Sequence, residues 1–352
     1  MKKYNVLDLF CGCGGLSKGF ENAGFQVLLG VDNDNAALYT FEKNHKNAKT
    51  LNADLSAPET FDMIEDLIGN QTVDVIVGGP PCQGFSLSGP RNFEDERNKL
   101  YLAMINTVEK FSPKAFVIEN VPGMGTLYNG AIKEEIVRRF TAMGYTVRNT
   151  VMCAADYGVP QMRKRLIFVG IKNQEFVFPI PQKTAENYLT CYEALSDLPS
   201  REDDLGDEID NYPVEPMNDY QELMRKNQEV LYNHVATNHT QMVKDVIALV
   251  PEGGNYKDLP EGVGTSRKFN EAWTRYHSQK PSKTIDTGHR NHFHYQYNRV
   301  PTIRENARLQ SFADDFIFYG TRTQQNRQVG NAVPPLLGQS IAEQLLHYME
   351  KE

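Results

Sequence analysis

Over its first 170 residues the chain alternates short apolar runs with amphipathic stretches, and this pattern admits few folds other than a parallel sheet with crossover helices, an α/β architecture. Residues 5–10, 27–31, 73–77, 115–118 and 166–171 read as buried strands bounded by Gly, Pro or charge, and residues 16–23, 36–44, 100–110 and 131–143 carry helical spacing. Right-handed crossovers place the strand C-terminal ends on one edge, where open α/β sheets bind ligands. After residue 176 the character changes. Phe178-Pro-Ile-Pro-Gln182 reads as an extended linker, and the residues that follow are poor in strand signals. Helical spacing returns at 303–311 and 336–348. The expected division is a first domain over 1–177, a less regular module over 178–300 and a segment over 301–352 that returns to the first domain.

Composition narrows the class. Hydrophobic residues are 40% and charged residues 23%, a globular balance, and no apolar run approaches the roughly 20 residues that cross a bilayer. The N-terminus meets Asp8 before any apolar signal core forms. Five cysteines without a CxxC pair argue against a disulfide framework and for a reducing cytosol. The net charge of −8 is unevenly spread. Residues 193–219 hold ten acids against a single Arg, whereas residues 267–308 hold nine Lys/Arg against three acids, with four His besides. A basic stripe suits phosphate contact. Two oppositely charged solvated surfaces account for the charge equally well.

The first strand runs into Phe10-Cys-Gly-Cys-Gly-Gly15, a strand, glycine turn and helix in succession. Glycines let the backbone approach a ligand at a helix N-terminus, although such turns also serve as plain tight connections. Asp32, at the end of the second strand, suits ribose hydroxyls, and Asp54 beyond the third suits an adenine amino group. The spacing is not GxGxxG and no GK[ST] follows, which favours a nucleoside without a pyrophosphate and counts against a nicotinamide oxidoreductase. Val77-Gly-Gly-Pro-Pro-Cys-Gln-Gly-Phe-Ser86 fixes a loop at a strand end, and Cys82 within it reads as a nucleophile. Cys153 and Cys191 read as buried apolar residues, and Cys11 and Cys13 lack the further partners zinc requires. Glu119 closes the fourth strand on the same edge, as a functional carboxylate or as a cap or ion pair. Gln161-Met-Arg163-Lys-Arg165 enters the next strand, its arginines turned to that edge or forming a solvated basic turn.

Together these residues resemble the DNA (cytosine-5) methyltransferase family along nearly the whole chain. Residues 10–15 match its FxGxGG loop, residues 79–86 its GPPCQxFS loop, Glu119-Asn120-Val121 its ENV motif and residues 161–165 its QxRxR motif. Arg304-Glu-Asn-Ala-Arg-Leu-Gln310 and Gln328-Val-Gly-Asn-Ala-Val-Pro334 match two C-terminal motifs. Asp32 stands where the family more often has Glu, with a shorter reach but the same chemistry.

The resemblance implies a Rossmann-like S-adenosyl-L-methionine-dependent methyltransferase sheet over 1–177 and a target-recognition domain over 178–300. It implies S-adenosyl-L-methionine as methyl donor, no metal, and double-stranded DNA from which the target cytosine is flipped. Cys82 would add to carbon 6 of the base, Glu119 would serve ring N3, and Arg165 with Arg163 would hold O2 or a neighbouring phosphate. Cofactor contacts fall on Phe10, Gly12, Gly14, Gly15, Asp32, Asn33, Asp54, Leu55, Pro80, Leu100, Asn331 and Val333. DNA contacts are expected from Gln83, Ser86, Arg91, Arg97, Arg290, His292, His294 and Arg304. In the stretch from His289 to Tyr297, aromatics mixed with Arg and His suit stacking and groove contact, or else form a hydrophobic rib. His289, His292 and His294 mimic a metal cluster, which this family does not use.

The expected enzyme is a sequence-specific prokaryotic modification methyltransferase, monomeric, cytoplasmic and nucleoid-associated, with a restriction endonuclease as a separate companion. An RNA cytosine-5 methyltransferase and an inactive DNA-binding relative are the alternatives.

Overall fold

The computed structural model describes residues 3–81, 99–226, 228–263, 272–288 and 291–350. The elements of the first half are β1 (Asn5–Leu9), α1 (Gly15–Asn22), β2 (Gln26–Asp32), α2 (Asn35–Asn44), β3 (Lys49–Asn52), α3 (Glu59–Ile68), β4 (Val75–Gly78), α4 (Lys99–Phe111), β5 (Ala115–Asn120), α5 (Ala131–Ala142), β6 (Tyr145–Cys153), β7 (Gln161–Met162) and β8 (Lys164–Lys172). Then come α6 (Cys191–Leu195), β9 (Ile209–Asn211), α7 (Asp219–Arg225), β10 (Val230–Tyr232), α8 (Gln241–Ala248), β11 (Thr274–Arg275), β12 (Ser282–Lys283), β13 (His292–Phe293), α9 (Ile303–Leu309), α10 (Arg322–Asn331) and α11 (Pro335–Met349).

Contacts divide the chain into two units. The first holds Met1–Cys153, Lys164–Ile180 and Pro335–Glu352, and the second Ala154–Arg163 and Pro181–Pro334. Residues 301–334, expected as part of a returning segment, therefore belong to the second unit; α11 belongs to the first. Among the described residues no helix is long and apolar enough to cross a membrane.

The first unit is a seven-stranded sheet in the order β3-β2-β1-β4-β5-β8-β6. Its first five strands are parallel, with near-continuous apolar runs such as Val75–Gly78 that are buried throughout. The other two depart from the all-parallel expectation. β8 runs antiparallel to β5, and β6 antiparallel to β8. β6 was not anticipated because Tyr145-Thr-Val-Arg-Asn-Thr-Val-Met-Cys is polar and half-buried along most of its length, as befits the sheet's last strand. The core gathers Leu7, Val31, Ile76, Phe116, Ile118, Phe140 and Phe168, with the Phe116 and Phe140 rings 4.0 Å apart. Each such side chain contributes about 1.5–3 kcal/mol on burial. α11 packs on α1, so closely that a Cβ on Gly19 would stand 2.5 Å from the Gln339 backbone nitrogen.

The second unit has short two-stranded pairings, β9 with β10, β11 with β13 and β7 with β12, and is held instead by buried ion pairs. Arg308, wholly buried, takes both carboxylate oxygens of Asp314 at 2.7 and 2.9 Å and those of Asp197 at 2.6 and 3.2 Å. Arg299 grips Glu305 at 2.6 and 2.8 Å, and Arg225 reaches Asp197 at 2.7 Å. Of the six basic residues of the expected stripe that are described, Lys280 and Lys283 are exposed and the other four are internal: Arg275, Arg299, Arg304 and Arg308 are all buried. Their charge is neutralised by carboxylates or spread over backbone carbonyls, and does not form a surface. The acidic run is partly recruited to the same purpose, through Asp197 and through Asp204 and Asp210 on Arg201.

Candidate active site

Phe10 leaves β1 with φ 58°, and Gly12 and Gly14 follow at φ 53° and 94°, a left-handed path that L side chains resist. Gly14 leads into α1, and a Cβ there would fall 2.1 Å from His45 Nε2. In front of Gly12, by contrast, a Cβ would meet nothing within 4 Å, so the backbone faces open space. Asp32 braces this loop. One carboxylate oxygen accepts the Gly12 N–H at 2.8 Å and the other accepts those of Asn33 and Asp34 at 2.8 and 2.9 Å. The expected ribose acceptor thus shapes the loop, and each oxygen keeps lone-pair capacity for a hydroxyl.

Beneath the loop lies Asp8, buried and hydrogen-bonded by Ser17 Oγ at 2.6 Å, its carboxyl pushed up to about 7 by burial. Burial also raises the thiols of Cys11 and Cys13, the latter to about 12, so neither is a ready nucleophile. Asp54 is exposed beyond β3, one oxygen accepting Ser56 N–H at 2.8 Å, and Leu55 behind it is 3% exposed. An open glycine cradle, a nearby carboxylate and an apolar wall suit a nucleoside-bearing cofactor. Among the described residues no group of His, Cys, Asp and Glu is arranged to hold a metal.

At the neighbouring strand ends, Glu119 Oε1 receives Arg165 Nε at 2.6 Å, both side chains 13% exposed. The antiparallel direction of β8 makes this pairing possible: its beginning lies beside the end of β5, with Glu119 opposite Ile167. A parallel strand would have carried Arg165 to the far edge. Glu119 Oε2 would lie 3.0 Å from a Cβ on Gly79, so the carboxylate sits against the start of the loop that leads to Cys82. Asn120 completes the arrangement, donating its amide to the Pro80 carbonyl at 2.9 Å and accepting Val121 N–H at 2.8 Å. Pro80 and Pro81 have no N–H, so a carbonyl is the handle by which that segment can be held. The ENV pattern contained this residue, but nothing in its spacing disclosed the partner. Leu100 is half-buried in the first turn of α4.

Cys82, Gln83, Ser86, Arg91, Arg97, His289 and Arg290 lie outside the described residues. Asn331 is exposed at the end of α10, and Val333 buried just beyond, both in the second unit.

Four expected contacts are corrected. Arg163 is 1% exposed, and its guanidinium donates to the carbonyls of Gly330 at 2.7 Å and Ile285 at 3.2 Å, which leaves it no surface for a substrate base. Arg304 is fully buried, giving its donors to the carbonyls of Tyr232, Ala313 and Phe316 at 2.9–3.1 Å. His292 stacks on Tyr276, and His294 lies among Tyr295, Tyr297 and Glu305; burial lowers the His294 pKa to about 3. Both rings are buried and packed among side chains of the second unit.

Comparison with known proteins agrees with this geometry. The profile of the family described as C-5 cytosine-specific DNA methylase matches residues 4–347. Type II methyltransferase M.DdeI of Desulfomicrobium norvegicum is 41% identical, over 98% of this chain and 89% of its own. Type II methyltransferase M1.HphI of Haemophilus parahaemolyticus is 39% identical, over 97% and 86%. A solved structure assigned as a DNA modification methyltransferase of an E. coli prophage superposes with a TM-score of 0.81 at 26% identity, over 99% of this chain and all of that one. With its glycine cradle and its Glu119–Arg165 pair on one sheet edge, this chain belongs to the C-5 cytosine-specific DNA methylase family and is a DNA cytosine-5 methyltransferase.

Proposed function

We propose that the chain is the modification methyltransferase of a Type II restriction-modification system, that S-adenosyl-L-methionine is its methyl donor, and that it works through a covalent Cys82 adduct. The observation that carries the mechanism is the Glu119–Arg165 pair at 2.6 Å, set against the Gly79–Pro80 segment that leads to Cys82. Carbon 5 of a neutral cytosine is too poor a nucleophile to take a methyl group. Addition of the Cys82 thiolate at carbon 6 makes the ring enamine-like, which is covalent catalysis. Glu119, oriented by Arg165, holds a proton at ring N3, a form of acid assistance worth ~10²–10⁴-fold. The Arg165 guanidinium nitrogens not engaged with Glu119 serve the base O2. When bound, S-adenosyl-L-methionine supplies the electrophilic methyl group. Gly12, Gly14, Asp32, Asp54 and Leu55 would hold its nucleoside part, the glycine backbone admitting it and Asp32 accepting from the ribose. A water is proposed to take the carbon-5 proton as Cys82 is released.

The target must leave the duplex, at an unstacking cost of a few kcal/mol. Gln83, Ser86, Arg91, Arg97 and Arg290 are the proposed DNA contacts. The Type II assignment is supported by the names of the two relatives above, and the cognate endonuclease is proposed to be a separate chain. The enzyme is further proposed to act as a monomer, in the cytoplasm, on the nucleoid.

Incubation with duplex DNA carrying 5-fluorocytosine, which cannot release its carbon-5 substituent, tests the adduct. A denaturant-resistant protein–DNA complex is expected with S-adenosyl-L-methionine present and with Cys82 intact. An equal yield of complex from Cys82→Ser would remove Cys82 from the nucleophile role.

A further inference from the structure

The glycine loop is set from two sides. On one, Asp32 accepts the Gly12 N–H at 2.8 Å. On the other stands His45, wholly buried at the end of α2. Its ring stacks on Phe41, centroids 4.2 Å apart, and the two rings fill the space beside two glycines. A Cβ on Gly14 would fall 2.1 Å from His45 Nε2 and 2.8 Å from Phe41 Cδ2, and one on Gly30 would fall 2.6 Å from Phe41 Cζ. Gly30 lies in β2, which ends at Asp32. The stacked rings therefore touch both the loop and the strand that carries its carboxylate brace. A buried imidazole also needs a polar partner. His45 Nδ1 faces Glu21 Oε1 at 3.0 Å, and because a carboxylate only accepts, Nδ1 carries a proton. Burial alone would raise the Glu21 carboxyl, yet the hydrogen bond from His45, with Lys18 3.5 Å away, holds it below its ordinary value and so ionised. Glu21 belongs to α1, the helix that Gly14 opens, so the tether and the ring act on the same turn of chain.

We propose that His45 is a positioning residue for the methyl donor: tethered by Glu21 and stacked on Phe41, it holds the Gly12–Gly14 backbone at its spacing from Asp32. The proposal rests on the reading of the glycine loop as the donor site. Glycine has more backbone freedom to lose than any other residue. A loop already fixed by the ring spares that loss at the binding step.

Isothermal titration of the full chain with S-adenosylhomocysteine reads the effect without turnover. His45→Asn keeps an N–H for Glu21 but takes the ring away from Gly14, and Glu21→Leu keeps the ring but removes its tether. Each is expected to raise Kd about tenfold, or 1.4 kcal/mol. Glu21→Gln retains the acceptor oxygen and stays near the wild type. In the donor-free protein, amides of residues 11–16 exchange with solvent faster in His45→Asn while those of Val75–Gly78, in the buried strand β4, do not. Equal acceleration in β4 would make the loss a general loosening and overturn the positioning role. Gly12→Asn separates this proposal from the reading beneath it. Asn tolerates a left-handed backbone, so the loop keeps its path and the added group enters the open space in front of it. An unchanged Kd there would overturn the donor reading of the loop and the proposal with it. A Kd raised in Gly12→Asn but unchanged in His45→Asn would overturn the proposal alone. Should His45→Asn not fold, Glu21→Leu against Glu21→Gln makes the same comparison.

Discussion

Arg304 separates the structural account from the sequence expectation most sharply, because the two predict opposite phenotypes. Its guanidinium gives three hydrogen bonds to buried carbonyls and lies 3.5 Å from Asp314. Arg304→Met keeps most of the volume but leaves those carbonyls without a donor and Asp314 with less compensating charge. Removing one partner from a buried charged cluster costs about 3–5 kcal/mol. A unit of this size melts roughly 2–4 °C lower for each kcal/mol, so a fall of roughly 6–20 °C is expected. The single tryptophan, Trp273, lies in the second unit and packs 6.5 Å from Phe293, so its fluorescence reports that unit selectively. Lys283→Met, at an exposed position, is the control and is expected to melt within 2 °C or so of the wild type. If Arg304→Met melts like the wild type but loses DNA affinity, with a salt slope smaller by about one, the arginine is a phosphate contact and the reasoning fails.

Other expectations follow from the first unit. Glu119→Gln, which keeps the shape but not the charge, should lower kcat on the order of 10²-fold with folding intact; single-turnover methyl transfer measures it, and an unchanged rate removes Glu119 from the chemistry. Asn120→Ala should slow 5-fluorocytosine adduct formation while S-adenosylhomocysteine affinity, read by titration calorimetry, stays unchanged; a loss confined to that affinity would refute the tether to Pro80. Asp8 provides a pH test. Its folded pKa of about 7 lies above the unfolded value, so its contribution is fully present below pH 4 and is lost as the pH rises toward 7. Denaturant melts of Asp8→Asn should therefore lack a decline of a few kcal/mol that the wild type shows between pH 4 and 7. Parallel pH profiles in the two proteins would contradict the burial argument.

The parallel half of the sheet could be read from sequence because a strand buried on both faces must be continuously apolar, and the runs at Val27, Val75 and Ala115 are. The strand β6 could not. Half-buried at the sheet's edge, it needs no such run, and its Thr and Arg positions resemble a loop. Missing it concealed the reversal of β8, and with it the reason Arg165 meets Glu119 while Arg163, two residues earlier, does not. Residue type singled out Glu119 and Asp32 as carboxylates at strand ends, and the structure pairs the first with Arg165 and sets the second against the Gly12 N–H. Charge counting misled for Arg275, Arg299, Arg304 and Arg308. A basic residue adds the same unit to a sum whether it faces solvent or fills a core with its carboxylate partner: Asp197 lies 111 residues from Arg308, Asp314 falls just outside the counted stretch, and Glu305 was counted merely as its balance.

The central claim, methyl transfer to cytosine carbon 5 through Cys82, is tested most directly by mapping 5-methylcytosine at base resolution. Unmethylated genomic DNA is treated with the protein and S-adenosyl-L-methionine, beside Cys82→Ser. The account predicts 5-methylcytosine at one recurring sequence motif with the wild type and none with the variant. Methylation that persists in Cys82→Ser, or no 5-methylcytosine in DNA from a folded wild type, would contradict it.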